Sequence, residues 1–136
     1  MTLQDQLIRD EGVRLRPYKD SVGKLTIGVG RNLDDVGIST DEAMLLLRND
    51  ITAATNSLEQ AFPWTQAMDP VRQSALVNMA FNMGIGGLAR FKNFLAACQQ
   101  GDWAEAKVQM LDSIWAEQVG ARAQRLAIQI ETGEWQ

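Results

Sequence analysis

The hydrophobic pattern changes character along this chain, and that change constrains the fold more than any other feature. Between residues 14 and 31 apolar residues alternate with other types, as in the stretch LTIGVG that begins at Leu25, which is typical of a β-strand. Pro17 cannot donate to a strand ladder, so we expect the stretch RLRPYKD around it at a sheet edge. Most of the remaining chain follows a helical period. The sequence therefore predicts an α+β fold that is mainly α.

Capping residues indicate where several helices begin and end. Gly12 is placed to end the first helix, and Ser39 or Thr40 to begin a long one. Asp69 followed by Pro70 is typical of the start of a helix. The pattern predicts helices over 2–11 and about 40–61, an apolar helix after residue 69, and shorter helices near 88–99, 102–113 and 120–131.

The composition excludes several kinds of site. The chain has 136 residues, the length of one domain. No stretch approaches the roughly 20 apolar residues that cross a bilayer, and the first residues lack the apolar core of a secretory signal. The sequence contains no histidine, which excludes Ser-His-Asp and Cys-His catalysis and histidine-ligated metals. Cys98 is the single cysteine, so no intramolecular disulfide can form.

The charge is unevenly distributed. The net charge of −4 argues against a nucleic-acid partner. Residues 9–31 carry six basic and three acidic side chains, a local charge of +3, which leaves −7 for the remainder. This segment either faces a polyanionic polymer or is a solvated hairpin surface, and charge alone leaves both interpretations open.

Two carboxyl groups are the usual requirement for cutting a glycosidic bond: one acid, and one base or nucleophile that stays ionised. Leu3, Leu7 and Glu11 are spaced i, i+4, i+8 on one helix face, so Glu11 ends an apolar stripe and suits the acid. Asp20, beside the hairpin turn, suits the second role. Thr26 across the hairpin would share a water with Asp20 through its hydroxyl.

The expected register of the hairpin places Asp20 opposite Thr26 and Tyr18 opposite Gly28. Gly28 and Gly30 would then leave one face bare for a bulky sugar.

A plainer interpretation is equally open at this point. Glu11 would be an exposed carboxylate at a helix end, Asp20 an ordinary turn residue, and Thr26 a residue that favours strands. Spacing alone does not separate the two interpretations.

Residues 10–31, DEGVRLRPYKDSVGKLTIGVGR, resemble the signature of the phage-type lysozymes, glycoside hydrolase family 24. That signature is a Glu, eight residues, an Asp, five residues, and a Thr within T-x-G-x-G. Matching stretches follow in order over nearly the whole chain: NMAFNMG (78–84), FKNFL (91–95), DW (102–103), SIW (113–115), ARAQR (121–125) and TGEW (132–135).

The resemblance implies one lysozyme-like domain over 1–136 with two lobes. Its parts are a hairpin lobe over about 13–38, a connecting helix over about 40–61, and a helical lobe formed by 1–11 and about 62–136.

The resemblance also implies a muramidase that hydrolyses the β-1,4 bond between N-acetylmuramic acid and N-acetylglucosamine in peptidoglycan, with inversion and without a cofactor. Glu11 would protonate the leaving oxygen, while Asp20 and Thr26 would hold and activate the water.

Further residues match family positions. Arg122 matches the arginine that pairs with the catalytic glutamate. Tyr18, Phe81, Asn82 and Asn93 match substrate-cleft positions, although Phe81 is equally suited to a core and the two asparagines to helix caps. The tryptophans of the helical region, Trp103, Trp115 and Trp135, are expected to be packing residues.

The chain departs from the T-even-type members of the family in three ways. One is its acidic net charge where that type is basic, which argues against tight non-specific binding to the wall. The link NLDDVGIST is much shorter than theirs, so the smaller lobe should be trimmed. Arg31 stands where those members have a histidine, whose aspartate partner corresponds to Asp50. We therefore predict an Arg31–Asp50 ion pair that joins the hairpin to the connecting helix.

The leading hypothesis is an endolysin that acts as a monomer on peptidoglycan. It would accumulate in the host cytoplasm without stable membrane insertion and need a holin-type pore to reach the cell wall in the periplasm. The alternatives are a lytic transglycosylase, a non-catalytic wall-binding or tail-structural module on the same fold, and a chitinase. The intact Glu11, Asp20 and Thr26 pattern argues against the first two.

Overall fold

The computed structural model describes every residue from Met1 to Gln136 and confirms the α+β, mainly α class. Three antiparallel strands form one sheet: β1 (Arg14–Lys19), β2 (Leu25–Gly28) and β3 (Arg31–Asn32). The helices are α1 (Leu3–Glu11), α2 (Thr40–Ala61), α3 (Pro70–Leu88), α4 (Lys92–Gln100), α5 (Trp103–Leu111), α6 (Ile114–Val119) and α7 (Ala121–Thr132), with a 3₁₀ helix over Pro63–Ala67. No helix combines the length and the apolar character needed to cross a membrane.

The chain divides into two compact units, residues 1–46 and 47–136. The boundary falls inside α2, which was predicted from the sequence to be a separate connecting helix. Helix α1 belongs to the first unit with the sheet, whereas the sequence assigned residues 1–11 to the helical lobe.

The sheet of the first unit has the order β1-β2-β3, so β1 is an edge strand as Pro17 predicts. The pairing of β1 with β2 is irregular between Arg14 and Tyr18, the segment that contains the proline. Of all residues in this unit only Thr26 is buried. The unit is therefore held mainly by hydrogen bonds and not by a hydrophobic core.

The N-terminus of α2 is fixed by a reciprocal cap. The Ser39 hydroxyl accepts a hydrogen bond from the Glu42 N–H at 3.1 Å, and the Glu42 carboxylate accepts one from the Ser39 N–H at 2.9 Å. The same carboxylate oxygen forms an ion pair of 2.7 Å with Arg31. The predicted Arg31–Asp50 pair is therefore wrong. Asp50 lies eight residues further along α2, roughly 12 Å at 1.5 Å per residue, while Glu42 is already oriented by its cap.

The second unit contains the hydrophobic core. Its largest fully buried apolar side chains come from helices α2 to α5 and α7: Leu58, Leu76, Met79, Leu88, Phe94, Met110 and Ile130. Gly84, with φ +76°, interrupts α3. The short helix α6 was not predicted as a separate element, because Ser113 caps it only two residues after α5 ends.

We predict that Glu42→Gln destabilises the fold above pH 4.5 and much less near pH 2. Hydrogen bonds from Arg31 and from the Ser39 backbone and side chain lower the pKa of Glu42 from 4.5 to about 2. A lowered folded-state pKa stabilises the fold above the unfolded value of 4.5, and this stabilisation is lost as the pH falls to about 2. Urea unfolding of both proteins across this range measures the effect.

The matched control is Asp50→Asn, which removes one negative charge from the same helix. We expect it to leave the free energy of unfolding unchanged. If Asp50→Asn destabilised the protein as much as Glu42→Gln does, the observed Arg31–Glu42 pair would not be the stabilising interaction.

Candidate active site

Asp20 closes the turn between β1 and β2. Its C=O accepts a hydrogen bond from the Gly23 N–H at 3.0 Å, and its N–H donates to the Lys24 C=O at 2.9 Å. Gly23 has φ +84°, which a residue with a side chain rarely adopts. These features define a three-residue loop, a type I turn followed by a left-handed glycine.

The predicted register of the hairpin is wrong by two residues. Tyr18 pairs with Thr26 and Lys19 with Leu25, so Asp20 is opposite Lys24 and not opposite Thr26. The predicted pairing required a five-residue loop, whereas Asp20 at the first and Gly23 at the fourth turn position favour the shorter one. Because the shift is an even number of residues, it does not exchange the two faces of the strand.

The backbone of Lys24 links Asp20 to Thr26. The Lys24 N–H donates to the Asp20 Oδ1 at 2.8 Å, and the Lys24 C=O accepts from the Thr26 hydroxyl at 3.0 Å. Asp20 Oδ1 also accepts from the Val22 N–H at 3.0 Å. Sequence reasoning selected the two polar residues but missed this link, which the Asp-x-x-Gly turn pattern signals.

Each member of this pair keeps free acceptor capacity. Two backbone N–H groups occupy Oδ1 of the half-buried Asp20, while its Oδ2 has no hydrogen-bond partner. The Thr26 hydroxyl proton is directed at the Lys24 C=O, so its oxygen retains lone pairs that can accept. Thr26 is only 3% exposed, which limits the movement of its side chain.

Glu11 ends α1 as predicted, and its carboxyl group lies against the backbone of Gly30. A Cβ at residue 30 would be 3.0 Å from the Glu11 Oε2 and 3.2 Å from its Cδ. Gly30 also has φ +69°. The space left by the missing side chain at Gly30 is therefore taken by Glu11, whereas a Cβ at Gly28 would meet nothing within 4 Å.

The apolar surroundings expected for Glu11 are not observed. Glu11 is exposed, and its stripe neighbours Leu3 and Leu7 are 69% and 45% exposed. Helix α1 buries none of its residues.

Arg122, on α7 in the second unit, is half-buried and is bonded to α3. Its guanidinium donates to the Asn78 Oδ1 from Nη2 at 2.7 Å and from Nε at 3.0 Å. Its pairing with Glu11 stays a prediction. Phe81 is 46% exposed, so it is not a core residue, and with Arg122 it lines a cavity of about 430 Å³.

The two candidate asparagines are not helix caps. Asn82 lies within α3, and its Oδ1 accepts a hydrogen bond from the Trp115 Nε1 at 2.8 Å. Asn93 lies in the first turn of α4, makes no cap, and lines a second cavity of about 570 Å³. Substrate binding by either residue stays a prediction.

The tryptophans and the tyrosine singled out from the sequence differ from one another in burial. Trp115 is buried in the core and Trp103 packs against it, as predicted for packing residues. Trp135 is 66% exposed, so the expectation of packing is wrong for this residue. Tyr18 is half-buried in β1, with the Arg14 guanidinium 4.5 Å above its ring, and its contact with substrate stays a prediction.

The cysteine thiol and the acidic side chains outside this site offer neither a reactive nucleophile nor a metal site. Burial raises the pKa of the Cys98 thiol to about 12, so this thiol remains protonated at neutral pH. No group of three or more histidine, cysteine or acidic side chains is arranged to hold a metal ion.

Comparison with known proteins finds a family match that covers most of both units. The model of the phage lysozyme family matches residues 9–129. The chain is 34% identical to the pre-baseplate central spike protein Gp5 of Enterobacteria phage T4 over 98% of its own length, but spans only 28% of that protein. It is 32% identical to "Probable T4-type lysozyme 2" of Dictyostelium discoideum, covering 97% of the chain and 95% of the relative.

A third relative is a SAR-endolysin of Escherichia phage Mu, 29% identical over 85% of the chain and 67% of that protein. The family model covers far more than half of the chain and includes Glu11, Asp20, Thr26 and Arg122. The chain therefore belongs to the phage lysozyme family.

Proposed function

We propose that this protein hydrolyses the β-1,4 bond between N-acetylmuramic acid and N-acetylglucosamine in peptidoglycan, with inversion at the anomeric carbon. The observation that carries the proposal is the link between Asp20 and Thr26 through the Lys24 backbone. It brings a carboxylate oxygen and a hydroxyl oxygen to one end of the hairpin, both with free lone pairs. Two such acceptors suit the binding of one water molecule.

In the proposed reaction this water is the nucleophile. The Thr26 oxygen accepts one hydrogen bond from the water, and Asp20 Oδ2 accepts the other and takes that proton as the base. The water oxygen bonds to the anomeric carbon while the bond from that carbon to the leaving sugar oxygen breaks. An inverting enzyme needs room for this water between its two carboxyl groups.

Glu11 is the proposed general acid, which gives its proton to the leaving oxygen. Its carboxyl group is positioned by Gly30, because only a residue without a side chain leaves the space that it occupies. Exposure of Glu11 leaves its carboxyl accessible to a polymeric substrate. In this scheme Asp20 gains a proton from water as Glu11 loses one, so the protein's net charge is unchanged after hydrolysis.

Arg122, Tyr18, Gly28, Phe81, Asn82 and Asn93 are proposed to assist as the family resemblance implies. Arg122 would pair with Glu11, and the others would contact sugar. The open space at Gly28 and the exposure of Phe81 support the roles of these two residues.

The products of peptidoglycan digestion test the proposed reaction. We expect the protein to release new reducing N-acetylmuramic acid ends, with the α-anomer formed first. We also expect Glu11→Gln and Asp20→Ala to reduce release at least about 100-fold, the lower range of acid–base contributions. Anhydro ends would show a transglycosylase instead. Binding without release by the folded wild type would show a non-catalytic wall-binding module, and cleavage of chitin in preference to peptidoglycan a chitinase.

Gly30→Ala and Gly28→Ala form a matched pair that tests the placement of Glu11. Both residues have left-handed backbone, at φ +69° and +70°, so each substitution should cost about 1–2 kcal/mol of stability. Only Gly30→Ala displaces the Glu11 carboxyl. We expect its kcat on soluble peptidoglycan fragments to fall roughly 10-fold further than that of Gly28→Ala. Loss of the proposed contact between Gly28 and sugar would raise KM, so equal losses of kcat with unchanged KM would show that the space at Gly30 does not position Glu11.

We further propose that the protein acts as a monomeric endolysin, made in the host cytoplasm and released to the wall through a holin-type pore. Endolysins among its relatives support the lytic role in this proposal.

Expression in a bacterial cytoplasm tests this role. We expect cells to stay intact until chloroform permeabilises the inner membrane and then to lyse, whereas cells that contain Glu11→Gln should not lyse. Lysis without permeabilisation would contradict the need for a pore. Elution from a size-exclusion column at a volume well below that expected for a 15.1 kDa protein would contradict the monomer.

A further inference from the structure

In the short link after β3, a side-chain carboxylate takes the place of a backbone carbonyl as the hydrogen-bond partner of β2. Strand β3 ends at Asn32, and beyond it the Leu33 N–H donates to the Leu25 C=O at 2.7 Å. In a regular antiparallel ladder the Leu25 N–H would donate to a backbone C=O in return. It donates instead to Oδ2 of Asp34, also at 2.7 Å.

The peptide group that joins Lys24 to Leu25 is consequently bonded at both ends. Its C=O accepts from the Asp20 N–H at 2.9 Å and from the Thr26 hydroxyl at 3.0 Å. Its N–H, on the opposite side of the same trans peptide plane, donates to the Asp34 carboxylate. Any rotation of this plane would therefore move the Lys24 carbonyl oxygen, which accepts from both the Asp20 N–H and the Thr26 hydroxyl.

We propose that Asp34 is a positioning residue for the Asp20–Thr26 pair, an inference that rests on the proposed function. A carboxylate that accepts from a peptide N–H makes a stronger hydrogen bond than a neutral oxygen does. It also polarises the peptide, so that the C=O on the far side becomes a better acceptor. Asp34 thus acts through the Lys24–Leu25 peptide, whose C=O holds the Thr26 hydroxyl directly and the Asp20 carboxylate through the Asp20 backbone N–H.

Asp35, the next residue, provides a matched control. Its carboxylate bonds the Lys24 Nζ at 3.2 Å and the Asn32 Nδ2 at 3.0 Å, both of which are side-chain atoms. The Lys24–Asp35 ion pair is exposed, and such pairs contribute little to stability. Asp34→Ala and Asp35→Ala therefore remove the same charge from neighbouring positions, but only the former releases the peptide plane.

The first arm of the test is kinetic and uses soluble peptidoglycan fragments. We expect Asp34→Ala to lower kcat about ten-fold, as a small misplacement of catalytic groups does. KM should stay within about two-fold, because Asp34 does not contact substrate. Asp34→Asn retains an acceptor oxygen and should recover most of the lost kcat, and Asp35→Ala should behave as the wild type does.

The second arm measures the backbone amide proton shifts by NMR and needs no activity. Asp34→Ala should shift the amide protons of Leu25 and Asp20, while Asp35→Ala should leave both in place. If the Leu25 signal moves and that of Asp20 does not, or if both variants lose the same kcat, the positioning role is overturned. A folded wild type that releases no product would refute the proposed function but not the role of Asp34. The shift of the Asp20 amide proton in Asp34→Ala would still decide that role.

Discussion

The hydrogen bonds of the Lys24 backbone determine where the reactive groups of the hairpin lie. One peptide nitrogen and one peptide oxygen together contact the Asp20 carboxylate, the Asp20 N–H and the Thr26 hydroxyl. A backbone segment has few soft dihedral angles, so groups bonded to it are held more firmly than groups bonded to a flexible side chain. The geometry of the site thus depends on the three-residue loop, and the loop depends on the left-handed backbone of Gly23.

The two units are stabilised in different ways. All buried apolar residues of the chain lie between Leu58 and Ile130, in the second unit, while the first unit buries only Thr26. A single hydrogen bond contributes a net free energy of about 0.5–1.5 kcal/mol, so the first unit depends on several of them acting together. Hydrogen bonds are also directional, and this property suits a unit that must hold a carboxylate and a hydroxyl in fixed positions.

Local chemistry explains which structural predictions succeeded. Gly12 ends α1, Ser39 caps α2 and Asp69 caps α3, because each cap is made by residues within three or four positions of one another. The hairpin register could also have been predicted, since the Asp20 and Gly23 pattern favours a three-residue loop. Identification of Glu11, Asp20 and Thr26 as a set required the family resemblance, because their spacing alone also fits ordinary structural roles.

By itself the sequence determined the α+β class, most helix boundaries and the family, since these follow from periodicity, capping and an ordered set of motifs. Only the tertiary structure decided which residues distant in the sequence contact one another. It placed Arg31 on Glu42 and not on Asp50, the Glu11 carboxyl over Gly30, and the Asp34 carboxylate on the Leu25 N–H. These contacts join residues 9 to 19 positions apart in the chain. Their distances depend on how a short link closes the sheet, which no local pattern encodes.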